Sequence, residues 1–263
     1  MPIGVFDSGV GGLSILKASI KRLPHTDFIY IADSANCPWG EKDKSFIKRR
    51  AYQLTEFLIS KGATVVVVAC NSASVNVIEY LRGSFPDIRF VGVEPGIKPA
   101  LTNTKSGTVA VLVTRATSRG DKFLDTMSQF GKNKRVITII APQLVDWVEE
   151  GVDISFCRKV SMEEILDPVI TNGADQLALG CTHFPFLKDC ISKCLPENVT
   201  IVDTSDAVAK QVQKIAESVM DTNEDGHLSF YTSGNPRTAD KLIARLISID
   251  DVTCEQIESG GLG

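Results

Sequence analysis

Short apolar runs alternate along this chain with segments of helical periodicity, and this alternation constrains the fold more than any other feature. Most of the runs are continuously apolar, as expected for parallel strands that are covered on both faces. Between them, apolar residues recur at spacings of three and four, which indicates amphipathic helices. Repeated strand–helix–strand units predict a doubly wound α/β fold with right-handed crossovers. The predicted strands are residues 3–7, 28–32, 65–70, 90–93, 109–114, 136–140, 177–181 and 200–202.

Two pairs of predicted strand ends suggest that the chain contains two related halves. The strand that ends in Asp7 resembles the one that ends in Thr114. The strand that ends in Cys70 resembles the one that ends in Cys181, at a similar offset, although all parallel strands look alike to some degree. A boundary near residues 94–96 suits two halves because a Pro-Gly step ends regular structure. We therefore expect two pseudo-symmetric, doubly wound α/β domains with mainly parallel sheets and a site in the cleft between them, comprising residues 1–94 with 208–263 and residues 95–207.

Charge and cysteine spacing argue against several classes of protein. The chain has 28 Lys and Arg against 32 Asp and Glu, so it lacks the basic surplus that a nucleic-acid binder normally carries. No apolar run approaches the roughly 18–20 residues of a membrane span, and the first residues do not resemble a signal peptide. Seven widely spaced cysteines without a CxxC pair predict neither a disulfide framework nor a structural zinc site. We therefore expect a cytoplasmic protein with free thiols and with no membrane or nucleic-acid partner.

Reactive or hydrogen-bonding residues stand at four predicted strand ends, where open α/β sheets bind their ligands. Cys70 and Cys181 each follow an apolar strand and precede polar residues and a helix, so helix N–H groups should lower their thiol pKa. Either cysteine alone is more simply a small buried hydrophobe, but two at corresponding positions favour reactive thiols. The four groups are Asp7-Ser8-Gly9, Cys70-Asn71-Ser72, Thr114 with Thr117, and Cys181-Thr182-His183.

Two of these groups contain a titratable partner for a cysteine. Asp7 ends an apolar strand, where a carboxylate is costly unless it is paired or functional, although it could simply cap the next helix. The glycines after Asp7 match a dinucleotide fingerprint only in part, which is weak support for a nucleotide site, and an anion cradle is the alternative. His183 either polarises the Cys181 thiol or is a structural histidine.

Two further segments are candidates for the edge of a site. The turn Cys37-Pro38-Trp39-Gly40 either lines a pocket mouth or is a surface loop with an anchoring Trp. Glu149 and Glu150 either end a helix or place one carboxylate in the site. The sequence alone does not decide between the two interpretations of either segment.

Taken together, these segments resemble the glutamate racemases of the cofactor-independent aspartate/glutamate racemase superfamily. The departures are conservative, with Ser72 where Thr is usual, and Trp39 and Phe184 where Tyr is usual. The change at Trp39 falls in the pocket-mouth segment and could alter ligand fit. The matching segments are residues 4–12, 33–40, 69–74, 93–96, 114–117 and 180–185, in the family's order and spacing.

The resemblance implies a racemase that needs neither metal nor cofactor. Two bases on opposite faces of the α-carbon are then required, and Cys70 takes the proton from D-glutamate while Cys181 takes it from L-glutamate. Asp7 assists Cys70, and His183 with Glu149 or Glu150 assists Cys181. The resemblance also implies a homodimer and a supply of D-glutamate for peptidoglycan. It assigns substrate binding to Asp7, Ser8, Pro38, Trp39, Gly40, Cys70, Asn71, Ser72, Thr114, Thr117, Cys181, Thr182 and His183.

Three alternatives stay open at this point. An aspartate racemase or another amino-acid racemase of the superfamily would share the two cysteines. A Cys-His hydrolase would use only Cys181 and His183 and would be indifferent to Cys70. A non-catalytic binding protein with two α/β halves would bind glutamate without exchanging its α-proton.

Overall fold

A computed structural model of the chain describes residues 1–151, 159–218 and 226–257. Cys157 and Val219 lie outside the described residues. The described strands are β1 (Ile3–Asp7), β2 (Phe28–Ala32), β3 (Val65–Val68), β4 (Arg89–Gly92), β5 (Thr108–Val113), β6 (Arg135–Ile140), β7 (Gln176–Gly180), β8 (Thr200–Val202), β9 (Leu228–Thr232) and β10 (Cys254–Gln256).

These strands form two sheets in which every pairing is parallel. The first sheet has the order β10-β9-β2-β1-β3-β4, and the second has the order β6-β5-β7-β8. Strands β1, β2, β3 and β7 are buried along their whole length, which explains their continuously apolar sequences. The predicted α/β class with two mainly parallel sheets is therefore confirmed.

All eight predicted strands form, and their ends differ from the expected ones by at most two residues. Strands β9 and β10 were not predicted from the sequence. The first mixes polar and apolar residues and the second has three residues, so neither carries the continuous apolar signal. Because β9 pairs with β2, the C-terminal part of the chain returns to the first sheet.

The helices cover the faces of the two sheets. Asp43 caps α2 by accepting a hydrogen bond of 2.7 Å from the backbone N–H of Phe46, and Asn235 caps α11 in the same manner. No helix within the described ranges is both long and apolar enough to cross a bilayer. The helices are α1 (Leu13–Arg22), α2 (Lys44–Ser60), α3 (Asn71–Ser84), α4 (Ile97–Asn103), α5 (Arg115–Ser118), α6 (Asp121–Phe130), α7 (Gln143–Glu149), α8 (Lys159–Thr171), α9 (Lys188–Lys193), α10 (Ser205–Ala216) and α11 (Pro236–Ile247).

One buried apolar cluster extends across both sheets. It contains Val5 and Leu13 from the first half together with Leu112, Leu177 and Phe184 from the second. The opposite face of the first sheet packs against α2 and α3 in a separate cluster. The shared cluster fixes the two sheets side by side, so that their strand ends meet over a common cleft.

The cysteines are not all free thiols as expected. The free ones are Cys37, Cys70, Cys181, Cys194 and Cys254. Cys190 is disulfide-bonded. The expectation is wrong at this position because sequence spacing does not reveal which cysteines the fold brings together.

Candidate active site

The strand ends of the two sheets converge on one small cavity. It is lined from both halves by Ser8, Pro38, Gly40, Cys70, Asn71, Ser72, Thr114, Val145, Cys181, Thr182 and His183. Three larger depressions, of about 380, 350 and 330 Å³, lie elsewhere on the surface, and none has a cysteine among its described lining residues. We place the site in the smaller cavity because it holds both strand-end thiols.

Cys70 follows β3 and is the residue that precedes the first turn of α3. Its side chain is buried, and its Sγ donates to Ser8 Oγ at 3.8 Å. Burial raises the pKa of the Cys70 thiol well above its ordinary value, and the Asp7 carboxylate raises it further. The N–H of Ala73 has the opposite effect but does not outweigh them. The expected lowering of this pKa by the helix N-terminus is therefore wrong, because desolvation is the larger effect.

Asp7 lies one layer behind Cys70. Its Oδ2 accepts a 2.7 Å hydrogen bond from the backbone N–H of Gly12 and a 3.4 Å bond from Thr182 Oγ1. Its Oδ1 accepts from Ser8 Oγ at 3.4 Å, so Ser8 connects this carboxyl to the thiol. Burial raises the pKa of the Asp7 carboxyl. Asp7 thus holds the start of α1, as a cap would, and also belongs to the surroundings of Cys70.

Cys181 follows β7 and has an imidazole beside it. Its Sγ lies 3.6 Å from His183 Nδ1, and His183 Nε2 lies 2.6 Å from Glu149 Oε1. The same carboxylate oxygen accepts a 2.7 Å hydrogen bond from the backbone N–H of Val10. Of the two glutamates left open by the sequence, the structure places Glu149 against His183. Glu150 is exposed, and both glutamates line one of the separate depressions.

The His183–Glu149 pair favours an imidazolium and a carboxylate. Burial lowers the pKa of His183, but its hydrogen bonds with Cys181, Cys37 and Glu149 outweigh burial and raise that pKa well above its ordinary value. Burial raises the pKa of Glu149, but the hydrogen bond and charge of His183, together with hydrogen bonds from Val10 and Cys37, outweigh it, so the net shift is downward. The Cys181 half of the site therefore carries a buried positive charge next to its sulfur.

Hydroxyl groups from both halves meet on another side of the cavity. Ser72 Oγ lies 3.0 Å from Thr114 Oγ1 and 3.4 Å from Thr117 Oγ1. Thr114 caps α5 and lines the cavity, whereas Thr117 lies behind it. Asn71 also lines the cavity, and its buried Nδ2 has no hydrogen-bond partner among the described residues. An unsatisfied buried donor is costly, so this amide is suited to an anionic ligand.

The turn that begins at Cys37 lies over the cavity. Pro38 and Gly40 line the cavity, and a side chain at Gly40 would collide with Thr114. The Trp39 side chain is fully buried behind the turn, and its Nε1 donates to Asp33 Oδ2 at 3.1 Å. The structure therefore gives Trp39 a supporting position rather than a direct one.

Comparison with known proteins decides the family. The model of the Asp/Glu/Hydantoin racemase family matches residues 13–212. The chain belongs to this family. It is 39% identical over 237 residues to the glutamate racemase of Stutzerimonas stutzeri, covering 90% of each chain.

Solved structures of the family are similar over nearly the whole chain. The crystal structure of glutamate racemase isoform RacE1 from Bacillus anthracis matches with a TM-score of 0.88 at 27% identity, covering 98% of this chain and 97% of that one. The glutamate racemase of Francisella tularensis in complex with D-glutamate matches with a TM-score of 0.85 at 27% identity, with the same coverage. The identities and coverage support the family assignment as well as the fold.

Some residues around the racemase-family site could not be found from sequence patterns. Val145 of α7 lines the cavity, but an apolar residue in a helix gives no signal of a site. Arg50 donates to both Asp33 oxygens, at 2.9 and 2.6 Å, and this buried ion pair anchors the turn from behind. An Arg in a basic helical stretch is normally exposed to solvent. Nothing in the local sequence indicates that Arg50 is buried, so this ion pair could not be predicted.

One group of side chains could hold a metal ion. Among the described residues, Cys37, Glu149 and His183 each offer a ligand atom, and these atoms lie within 4.8 Å of one another. The sequence analysis predicted no metal ligands. Spacing rules did not find this group because its members come from three distant segments of the chain.

Proposed function

We propose that this chain is a glutamate racemase, which interconverts L- and D-glutamate by proton transfer at the α-carbon without a cofactor. The observation that carries the proposal is that Cys70 and Cys181 line one cavity from the strand ends of two different sheets. The glutamate racemases to which the chain is similar, one of them in complex with D-glutamate, support this choice of substrate.

The reaction needs two bases because the proton must leave one face of the α-carbon and return to the other. In one direction the Cys181 thiolate takes the α-proton of L-glutamate, and the electron pair of the broken C–H bond stays on the substrate. The Cys70 thiol then donates its proton to the opposite face and becomes a thiolate. D-glutamate reacts by the reverse sequence, so no proton or electron is gained or lost overall.

The two sulfurs have different neighbouring groups. His183, as an imidazolium held by Glu149, stabilises negative charge on Cys181 when the sulfur is the base. Burial and the Asp7 carboxylate favour the protonated form of Cys70, which suits an acid.

Donors around the cavity are suited to the substrate carboxylates. The unpartnered Nδ2 of Asn71 and the hydroxyls of Ser72 and Thr114 are neutral donors inside a buried site. Hydrogen bonds to the α-carboxylate would strengthen as negative charge develops in the transition state. Ser8, Pro38, Gly40 and Thr182 complete the proposed binding set, with Trp39 and Thr117 behind it.

The biological setting is also proposed. A glutamate racemase supplies D-glutamate for peptidoglycan, and this role places the chain in the cytoplasm, where we expect it to act as a homodimer. We assign residues 1–94 with 208–263 to one domain and residues 95–207 to the other, because each of these portions contains one of the two sheets.

The direct test follows the circular dichroism of L-glutamate with purified protein and no added cofactor. The signal should decay to zero as the racemate forms. A constant signal with glutamate and decay with L-aspartate would replace glutamate by aspartate as the substrate. A constant signal with both amino acids would overturn the proposal.

The contact between Cys181 and His183 also fits a Cys-His hydrolase. Such an enzyme would form a thioester on Cys181 and would not need Cys70. Racemisation in deuterated water separates the two functions, because only a racemase places solvent deuterium on the α-carbon of glutamate. A binding protein without catalysis would likewise leave that proton in place.

A further inference from the structure

We propose that Cys37, Glu149 and His183 form a binding site for Zn²⁺. The three ligand atoms lie within 4.8 Å of one another, although the residues come from a turn after β2, from the end of α7 and from the segment after β7. This inference does not depend on the proposed reaction, because it concerns binding of a metal ion and not turnover.

The donor set matches what Zn²⁺ prefers. A thiolate sulfur, an imidazole nitrogen and a carboxylate oxygen are its usual protein ligands, and three of them with an open fourth position are typical of sites that are not purely structural. Harder cations such as Mg²⁺ favour oxygen ligands and would select against the sulfur. As the Zn–S and Zn–N bonds form, the thiol proton of Cys37 and the Nε2 proton of His183 both pass to solvent.

The space for an ion is built into the fold. Gly9 faces the cluster, and a Cβ at that position would collide with the Glu149 carboxylate and lie 3.0 Å from Cys37 Sγ. The absence of a side chain at Gly9 therefore keeps the middle of the cluster open. Cys37 and Glu149 are both partly exposed, which gives an ion access from solvent.

One of the three distances between ligand atoms is shorter than a tetrahedral site requires. Zinc bonds of about 2.0–2.3 Å place neighbouring ligand atoms roughly 3.3–3.6 Å apart. The 2.6 Å contact between Glu149 Oε1 and His183 Nε2 must therefore open by less than about 1 Å. Rotation of the partly exposed Glu149 carboxylate supplies that change.

The ion would bind on the side of the imidazole that faces away from Cys181. His183 uses Nε2 toward Glu149 and Nδ1 toward Cys181, so a metal on Nε2 leaves the Nδ1 contact in place. A bound ion would nevertheless take His183 and Glu149 out of proton transfer. If the chain is a racemase, Zn²⁺ is then an inhibitor that acts without touching either strand-end cysteine.

Cobalt provides the test because Co²⁺ binds zinc sites and is visible by absorption spectroscopy. Metal-free protein titrated with Co²⁺ should show a thiolate-to-cobalt charge-transfer band and the strong visible bands of a four-coordinate ion, saturating at one equivalent. Zn²⁺ should displace the cobalt, since it binds such ligands more tightly. Cys37→Ser should abolish the charge-transfer band and weaken Zn²⁺ binding by about 100-fold or more, beyond what loss of an indirect partner costs.

Three variants control this experiment. Cys194→Ser removes a thiol that is outside this cluster and not in a disulfide, and it should leave the spectrum unchanged. Cys70→Ser should also keep the band while losing racemisation, which separates failure of the site from failure of the proposed reaction. Glu149→Gln, of nearly the same shape, should weaken Zn²⁺ binding even if Cys37→Ser does not fold. Absence of the band in the unmodified protein, its survival in Cys37→Ser, or its loss in Cys70→Ser would each overturn the proposal.

Discussion

The two thiols of the cavity occupy equivalent places at the ends of parallel strands, yet their neighbours differ. Behind Cys70 stand a hydroxyl, Ser8, and a buried carboxyl, Asp7. Behind Cys181 stand an imidazole, His183, and the carboxylate of Glu149. The topology of the two sheets therefore places both sulfurs at the cavity, whereas side chains from adjoining elements determine the surroundings of each sulfur.

Thermodynamics limits how this difference between the two thiols can appear in the kinetics. The two enantiomers have equal free energies, so kcat/KM must be the same in both directions at every pH, however unequal the two thiols are. Unequal environments can appear only in kcat and KM separately. The comparison is therefore tested most directly on each half of the site rather than on the overall rate.

Replacing either cysteine should have the largest effect. Cys70→Ala and Cys181→Ala should each lower racemisation by about 10²–10⁴-fold, because each removes one of the two acid–base groups. Residual exchange of the α-proton with deuterated water should be confined to the enantiomer whose base remains, which is L-glutamate in Cys70→Ala and D-glutamate in Cys181→Ala. Proton NMR of the α-position measures both.

The matched control for this pair is Cys194→Ala, which should racemise at the normal rate. Normal racemisation by Cys70→Ala would contradict the two-base mechanism. Exchange of both enantiomers at equal rates in either single variant would contradict the assignment of one cysteine to each face.

Glu149→Gln should have the next largest effect, because it removes the negative partner of His183. The raised pKa of His183 keeps the imidazolium present as pH rises past the ordinary histidine value. Without the carboxylate that pKa should fall, so the neutral imidazole should appear at lower pH. Racemisation should fall by roughly tenfold, less than for a cysteine, since Glu149 acts through His183.

Nitrogen NMR can follow this titration because the chain has only three histidines. Glu150→Gln is the control, as Glu150 is exposed and has no contact with His183 among those the structure describes. An unchanged His183 titration in Glu149→Gln would show that the ion pair does not set the charge of this half.

The sequence was sufficient for the sheets and for the strand-end residues, since both depend on local patterns. Continuous apolar runs predicted eight strands, and the polar residues after four of them converge on the cavity. Strands β9 and β10 were not predicted, because β9 mixes polar and apolar residues and β10 has only three residues.

What the sequence could not supply was the burial and charge around each residue. The helix N-terminus at Cys70 predicted a lowered thiol pKa, but burial and a carboxylate from another strand reverse the direction. The choice of Glu149 over Glu150 depends on how α7 is rotated against His183, which neighbouring identical residues cannot reveal. The cluster that includes Cys37 is likewise assembled only by the tertiary fold.

Asp7→Asn should have a smaller effect, which is largest in the Cys70 half. The substitution removes the negative charge that raises the Cys70 pKa, so that pKa should fall while burial continues to raise it. Each unit of lowering corresponds to about a tenfold larger thiolate fraction below the pKa. Alkylation of Cys70 by iodoacetamide, followed by peptide mass spectrometry, should therefore become several-fold faster at pH 8.

Glu150→Gln again serves as the control and should leave the alkylation rate of Cys70 unchanged. Alkylation of Cys181 in Asp7→Asn should change less than that of Cys70 if the two halves are electrostatically distinct. A Cys70 rate equal to that of the unmodified protein would mean that burial alone sets its protonation.

The smallest effect is expected for Ser14→Ala, which removes a hydroxyl group that connects the two halves of the molecule. Ser14 Oγ lies at the start of α1, and its single proton is shared between the carbonyl of Gly11 at 2.9 Å and that of Thr182 at 3.0 Å, beside the Cys181 strand end. Loss of this shared hydrogen bond should lower the free energy of unfolding by about 0.5–1.5 kcal/mol, measured by urea denaturation. Ser192→Ala removes an exposed hydroxyl that, among the described residues, bonds within its own segment to Asp189 O at 2.9 Å, and it should change stability less. Equal changes in the two variants would mean that the Ser14 hydroxyl contributes no more than a surface turn, and the alignment of the two thiols would then rest on the shared apolar cluster and on the other hydrogen bonds between the halves.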